Sequence, residues 1–332
     1  MTHAERLKRV SDFGFTDRQA SFLVTVMLHS GFFVGRQYCA FARIVRGQKM
    51  ADFLQKLTDR KFATPYRCGH NKARVYHLHH AGLYDAIGQR DVRFRKRAAI
   101  AHAIERLMLL DHVIAHSDFQ WLGAEQDKVA HFLTTTTIRR EALPRLVFGL
   151  SPNAVVRFFP DKFPIGVSAD GRLHAFVYLL TNPVPHDFRV FLRRHAELLR
   201  TLPAWSIRLL VPIDRTDKAE KRRHLADVYE QVFRQELAAP LDPMTANELR
   251  WFCNVNTLDP GVERTRLRRA RRIFGTHRFR ALRRAWAVDG DRVVDLAMST
   301  SLADAIARTE GRFERHELPR QYFRLSRMVG SA

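Results

Sequence analysis

The chain has 332 residues, with 56 Lys and Arg against 34 Asp and Glu, a formal charge of +22 and a pI near 10.9. An excess of this size points to a polyanionic partner and away from an ordinary acidic small-molecule enzyme. The 46% hydrophobic content excludes a disordered basic tail, and at roughly 150 residues per domain the length fits two or three domains.

Thr16 and Gln19 have the spacing of a capping box and open a first helix, whose apolar positions Phe22, Leu23, Val26 and Met27 recur at helical spacing until Gly31. A second helix is predicted over about Arg36–Val45 and a third over about Gly47–Arg60, with Met50, Phe53, Leu54 and Leu57 inward. Phe62–Tyr66 reads as a strand, Cys68-Gly69-His70-Asn71 as a turn and Arg74–His79 as a second strand. Three helices followed by a hairpin is the order of a winged helix-turn-helix.

The segments FTDRQASFL, MADFLQKLTDRKFATPY and ARVYHLHHAGLYDAIG resemble the winged-helix module of bacterial and mobile-element regulators. They are similar in particular to the replication-relaxation group, over about 75 residues. His79 stands where that group usually has Thr. The resemblance implies that the third helix enters a DNA major groove and that the hairpin touches backbone or minor groove. The outward positions Arg46, Gln48, Lys49, Asp52, Gln55 and Lys56 are the candidate groove contacts, since Gln and Lys bond base edges and Arg bonds guanine or phosphate. Arg67, His70, Asn71, Lys72 and Arg74 are the candidate hairpin contacts.

Arg90–Arg97 forms a basic junction, followed by a long helix over about Ala98–His116 that would serve as dimerisation element or intrachain spacer, and a short helix over Glu125–Phe132. Beyond it, Pro164–Ser168 and Leu173–Leu180 read as strands around the turn Ala169–Arg172, Phe188–Leu202 as a basic helix and Ser206–Pro212 as a strand. This order resembles the core of restriction-endonuclease-like domains, which use an acid after a Pro and a further acid and Lys on the next strand to hold Mg2+. Pro160-Asp161 matches the first element, but the strand HAFVYLL contains no acid and no Lys. The domain therefore reads as a degenerate relative, and Asp161 as a cap or turn residue.

From Asp242 the chain is predicted to be mostly helical: Met244–Val255, the pair Thr265–Phe274 and Arg278–Ala287, a strand or edge over Val293–Met298, and a helix over Ser301–Thr309, before a basic, aromatic ending over Gln321–Met328. Arg264–Arg284 holds 10 Arg and no acid, and Arg264, Arg268, Arg269, Arg271 and Arg272 are its candidate phosphate contacts. Residues 1–90 and 261–332 each carry a balance of +9, so most of the excess charge lies at the two ends.

The exclusions are clear. No run approaches about 18 apolar residues, the start of the chain has no apolar secretory core, and the three cysteines form no disulfide framework or zinc set. Phosphate-loop, dinucleotide, HExxH and GxSxG patterns are missing. Of the 16 histidines, His77, His79 and His80 are the densest group and are expected to be structural.

The sequence thus predicts an α+β protein in four parts. These are a winged helix-turn-helix over 1–90, a helical connector over 91–144, a small α/β domain over 145–240 and a basic, mostly helical region over 241–332. The expected role is sequence-specific binding of double-stranded DNA in the cytoplasm, at the nucleoid, by a homodimeric transcriptional regulator or plasmid or mobile-element maintenance factor, with no catalytic residue, metal or cofactor and no membrane. A Mg2+-dependent nuclease or replication-relaxation accessory factor is the alternative, and an RNA-binding or ribosome-associated protein a third reading.

Overall fold

A computed structural model describes residues 1–67, 74–149, 154–213, 219–255, 263–319 and 322. It is a mixed α+β structure. The N-terminal unit runs α1 (His3–Ser11), α2 (Asp17–His29), β1 (Phe32–Val34), α3 (Gly35–Ala42), α4 (Gln48–Asp59), β2 (Ala63–Arg67), β3 (Arg74–Leu78) and α5 (Ala81–Ala86). The Thr16–Gln19 capping box forms as expected, and Thr2 and Glu5 form a second one that opens α1. Helices α2 to α4 pack through Phe22, Tyr38 and Phe53, whose rings meet at centroid distances of 4.1 to 6.1 Å.

The hairpin β2–β3 is completed by β1, giving an antiparallel sheet in the order β1-β3-β2. Three residues are too few for an alternation signal, so β1 is invisible in the sequence. Gly31 makes the turn into it at φ +75°, and a Cβ there would lie 2.2 Å from the Phe94 carbonyl oxygen, so glycine is required.

Helix α6 (Ile100–Ala115) lies between two sheets. One side meets Phe32 and Val75 through Ala103 and Leu107, and the other meets Val177, Leu179, Leu210 and Leu318 through Met108 and Leu109. The Gln37 Nε2 group donates to Leu107 O at 2.9 Å and to Asp111 at 2.8 Å, and Arg36 pairs with Asp111 at 2.6 Å. Ala103, Leu107, Met108 and Leu109 of α6 are thus buried within the chain.

The remaining elements are β4 (Gln120–Leu122), α7 (Glu125–Thr135), β5 (Arg145–Phe148), β6 (Val155–Phe158), β7 (Ile165–Val167), β8 (Leu173–Leu179), α8 (His186–Leu199), β9 (Ala204–Pro212), α9 (Ala219–Leu237), α10 (Pro243–Asn254), α11 (Arg264–Ile273), α12 (His277–Asp289), α13 (Arg292–Met298), α14 (Ser301–Ala307) and β10 (Gly311–Leu318). A five-stranded sheet has the order β10-β9-β8-β7-β4. Strands β4, β7 and β8 are antiparallel, while β8, β9 and β10 are parallel. Along β8, Val177 and Leu179 face α6, whereas Phe176 and Tyr178 face the core shared with Phe132, Phe188, Phe191 and Tyr229. Burial on both faces is why HAFVYLL is apolar without alternation.

Three expectations are corrected. The five-stranded sheet extends beyond 145–240, taking β4 from the connector and β10 from the C-terminal region. Val293–Met298 is not a strand: it lies in α13, where Val294 is buried and Val293, Ala297 and Met298 pack beside it at helical spacing. The C-terminal region also contains a strand, β10, whose charged sequence GRFERHEL suits an exposed sheet edge. Helices α10 to α13 have their own small core of Leu249, Phe252, Leu267, Phe274, Leu282 and Val294, so this helical unit is inserted between α9 and α14. Among the described residues, no helix is long and apolar enough to cross a membrane.

Candidate nucleic-acid interface

Helix α4 turns Phe53, Leu54 and Leu57 inward and leaves Gln48, Lys49, Asp52 and Gln55 exposed. Its N-cap is Gly47, which makes no side-chain cap, and exposed Arg46 precedes it. The first amides of the helix therefore lack a capping side chain beside Arg46 and Lys49, which have no ion-pair partner among the described residues, an arrangement suited to a phosphate. Gln48 donates to Asp52 at 2.5 Å and Gln55 to Asp59 at 2.6 Å, which orders the exposed stripe without burying it.

Lys56 departs from the expectation. Its ammonium donates to the Gly14 carbonyl and lies 5.0 Å from the Phe15 ring, so it ties α4 to the α1–α2 loop instead of facing outward. Arg60, one turn on, does the same through the Phe13 carbonyl at 2.5 Å. On the hairpin, Arg67 and Arg74 are direct cross-strand partners and both are exposed. Like charges opposite one another oppose strand pairing unless an anion lies between them. His70, Asn71 and Lys72 lie outside the described residues, as does most of the Gln321–Met328 ending.

The Arg-rich stretch divides into two sets. Arg266 pairs with Glu248 at 2.7 Å and stacks 4.0 Å from the Trp251 centroid, Arg278 donates to Ala239 O, and Arg283 covers the Phe252 ring at 4.4 Å. Those three build the helical unit and dock it. By contrast Arg264, Arg268, Arg269, Arg271 and Arg272 are all exposed, and none has an ion-pair partner among the described residues. Several arginines elsewhere are occupied: Arg189 and Arg193 share buried Glu236, Arg208 holds Glu314, and Arg315 holds Asp227 and Glu230. Exposed cations without an ion-pair partner among the described residues thus lie on α4, the hairpin and α11, and also along Arg90–Arg97 and at Lys8, Arg9, Arg139, Arg145 and Arg172.

The site expected of a nuclease is differently furnished. Both oxygens of Asp161 accept from Arg194 Nη1 at 2.8 Å, so it is an ion-pair partner rather than a cap. The void beside it is about 10 Å³, lined by Lys128, Phe159, Phe176, Phe191 and His195, enough for about one water. Lys128 is buried there, donates to Phe163 O at 2.6 Å, and is pushed down to about 8 by burial. Among the described residues no trio of carboxylates converges on Asp161.

Compared with protein-family models, curated proteins and solved structures, the chain matches none.

The histidines sort similarly. His77 is buried, stacked 4.3 Å from Phe32 with Nε2 3.2 Å from Phe94 O, and burial pushes it down to about 4. His79 contacts the Thr64 hydroxyl at 2.8 Å, and His195 Nδ1 the Phe191 carbonyl at 2.9 Å. One set was missed from sequence. His112 on α6 and His116, the residue that caps its C-terminus, meet His316 on β10, with one ring nitrogen of each within 4.8 Å of the others. The i, i+4 pair was readable as one helix face, but the third member is 200 residues away.

Proposed function

We propose that the protein is a sequence-specific double-stranded DNA-binding protein with two contact regions. Residues 1–90 act as a winged helix-turn-helix, with α4 as the recognition helix and β2–β3 as the wing, and α11 adds phosphate contacts. The order helix, strand, helix, helix, strand, strand and the sheet order β1-β3-β2 support the winged-helix reading. The observation that carries the functional one is the set of exposed cations on α4, the hairpin and α11 that have no ion-pair partner among the described residues: Arg46 and Lys49, Arg67 and Arg74, and five arginines of α11. Exposed unpaired Arg and Lys gain counterion release on meeting phosphates, which already paired ones do not. Arg46 and Lys49 sit where a major groove would be read, with Gln48, Asp52 and Gln55 supplying donors and acceptors for base edges.

The biological role that fits is a transcriptional regulator or plasmid or mobile-element maintenance factor, acting at the nucleoid. A homodimer reading paired half-sites belongs to this proposal, with its contact outside the enclosed α6. The five-stranded sheet is read as a non-catalytic relative of the restriction-endonuclease core. Its β4-β7-β8 antiparallel run followed by α8 and parallel β9 favours that kinship, while Asp161 is engaged by Arg194. Selection from a random duplex library at about 150 mM salt tests the main reading. Enrichment of a discrete motif, lost in the Lys49→Ala, Gln48→Ala double variant, is expected. Absence of any enriched motif overturns sequence-specific binding. Plasmid incubated with Mg2+ should remain uncut, and stronger binding to RNA than to duplex DNA would favour an RNA partner.

A further inference from the structure

We propose that His112, His116 and His316 form a binding site for one Zn2+ ion, clamping β10 to the C-terminal turn of α6. The site is independent of the DNA-binding reading. His112 and His116 are one helical turn apart, and their rings lie 4.2 Å apart. His316 closes the set from the edge strand, its ring 5.2 Å from His112 and 5.3 Å from His116. In tetrahedral zinc sites, Zn–N bonds of about 2.0–2.1 Å place ligand nitrogens roughly 3.3 Å apart. Nitrogens already within 4.8 Å need only small side-chain rotations to reach that spacing.

A second observation points to a ligand. His112 is 2% exposed, and its Nε2 has no hydrogen-bond partner among the described residues. An imidazole nitrogen buried without a partner is costly, and a metal ion would satisfy it. The other rings are oriented as ligating histidines commonly are. His116 Nδ1 bonds the His112 carbonyl at 2.9 Å, leaving its Nε2 free, and His316 Nε2 lies 3.3 Å from Glu314 Oε2. The Trp121 indole packs against His112 and donates to the His116 carbonyl at 2.9 Å, which walls one side.

Arg208, a cation that acts on His112, is held by Glu314 at 2.8 Å and stacked on Phe119, so its charge is compensated. Three neutral imidazoles select Zn2+ and its borderline neighbours over Mg2+ or Ca2+, which prefer oxygen. The fourth position falls to water.

The position gives the site a consequence. Helix α6 is fixed to the N-terminal unit by Gln37 and Arg36, and β10 ends the five-stranded sheet. A metal bridging them would lock the last strand to the helix that joins both sheets.

The test uses the full chain stripped with EDTA. Calorimetric titration with ZnCl2 should show one equivalent bound, and CoCl2 should give the visible d–d absorption of a four- or five-coordinate nitrogen site. His316→Ala should weaken Zn2+ binding at least tenfold and remove the Co2+ band. Glu314→Gln should weaken binding about 10- to 100-fold while keeping a stoichiometry of one. His131→Ala, outside the trio, should change neither. Zn2+ should also raise the Tm of the wild-type chain and not that of His316→Ala. His116→Gln, at the C-cap of α6, provides a second ligand variant if removal of His316 disturbs the edge strand, and it should lose the band likewise. Failure of the wild-type chain to bind one equivalent, or unchanged affinity in a folded ligand variant, overturns the proposal.

Discussion

Neutralising α11 is the most direct test of whether the Arg-rich helix meets phosphates. Replacing Arg264, Arg268, Arg269, Arg271 and Arg272 with Ala removes no ion pair seen among the described residues and leaves Leu267, Ala270 and Phe274 in the small helical core. Ala is the strongest helix former, so α11 should persist. At 100° per residue the five guanidinium groups span about 160° of the helix surface, and a duplex lying against one side would reach about three. Each neutralised phosphate contributes about 0.9 to the slope of log K against log salt, so three contacts contribute about 2.7. Between about 50 and 200 mM salt, that slope makes the wild-type chain lose roughly 40-fold more affinity than the variant. Fluorescence anisotropy with a duplex oligonucleotide across that range measures the difference. An unchanged slope, with affinity intact, would remove α11 from the interface and leave its arginines as a solvated helix face.

Three further outcomes follow from the structure. Lys56→Met should leave the salt slope unchanged, because that ammonium is tied to Gly14 O, whereas Lys49→Ala should reduce it by about 0.9; the reverse pattern would show that α4 is misread. Lys128 is lowered by burial from its ordinary 10.5 to about 8, so between those pH values the unfolded chain holds a proton that the folded chain lacks. Stability should therefore rise with pH across that window by about 3 kcal/mol, and Lys128→Met should lack this rise in urea titrations at about pH 8 and about pH 10; parallel behaviour of the two chains would refute the assignment. Gly31→Ala should destabilise by about 3 kcal/mol or more, seen as a lowered Tm, since it adds a Cβ against the Phe94 carbonyl at a positive φ; a Tm within a degree of wild type would mean that the turn relaxes freely.

Local order was largely legible because it is written in short-range pattern. The capping box at Thr16, the inward face Phe53-Leu54-Leu57 and the hairpin alternation each involve residues within a few positions of one another. Elements that depend on distant partners were not legible. Strand β1 is too short to signal itself, and β10 becomes a strand through pairing with β9, where Arg208 opposes Glu314 in register. Val293–Met298 carries β-branched residues that suggest a strand, but packing of Val294 into the core of α10–α12 overrides that preference.

The same division runs through the charge. The sequence by itself determined that this is a folded, strongly basic α+β chain whose excess charge lies toward its two ends. Only the tertiary structure decided which cations remain available, because an arginine's fate depends on carboxylates and carbonyls far along the chain: Arg6 meets Asp127, Arg194 meets Asp161, and Lys56 bends back to Gly14. It also brought His316 to His112 and His116, a convergence that no local spacing encodes, since it arises from a parallel edge strand returning beside a helix two hundred residues earlier.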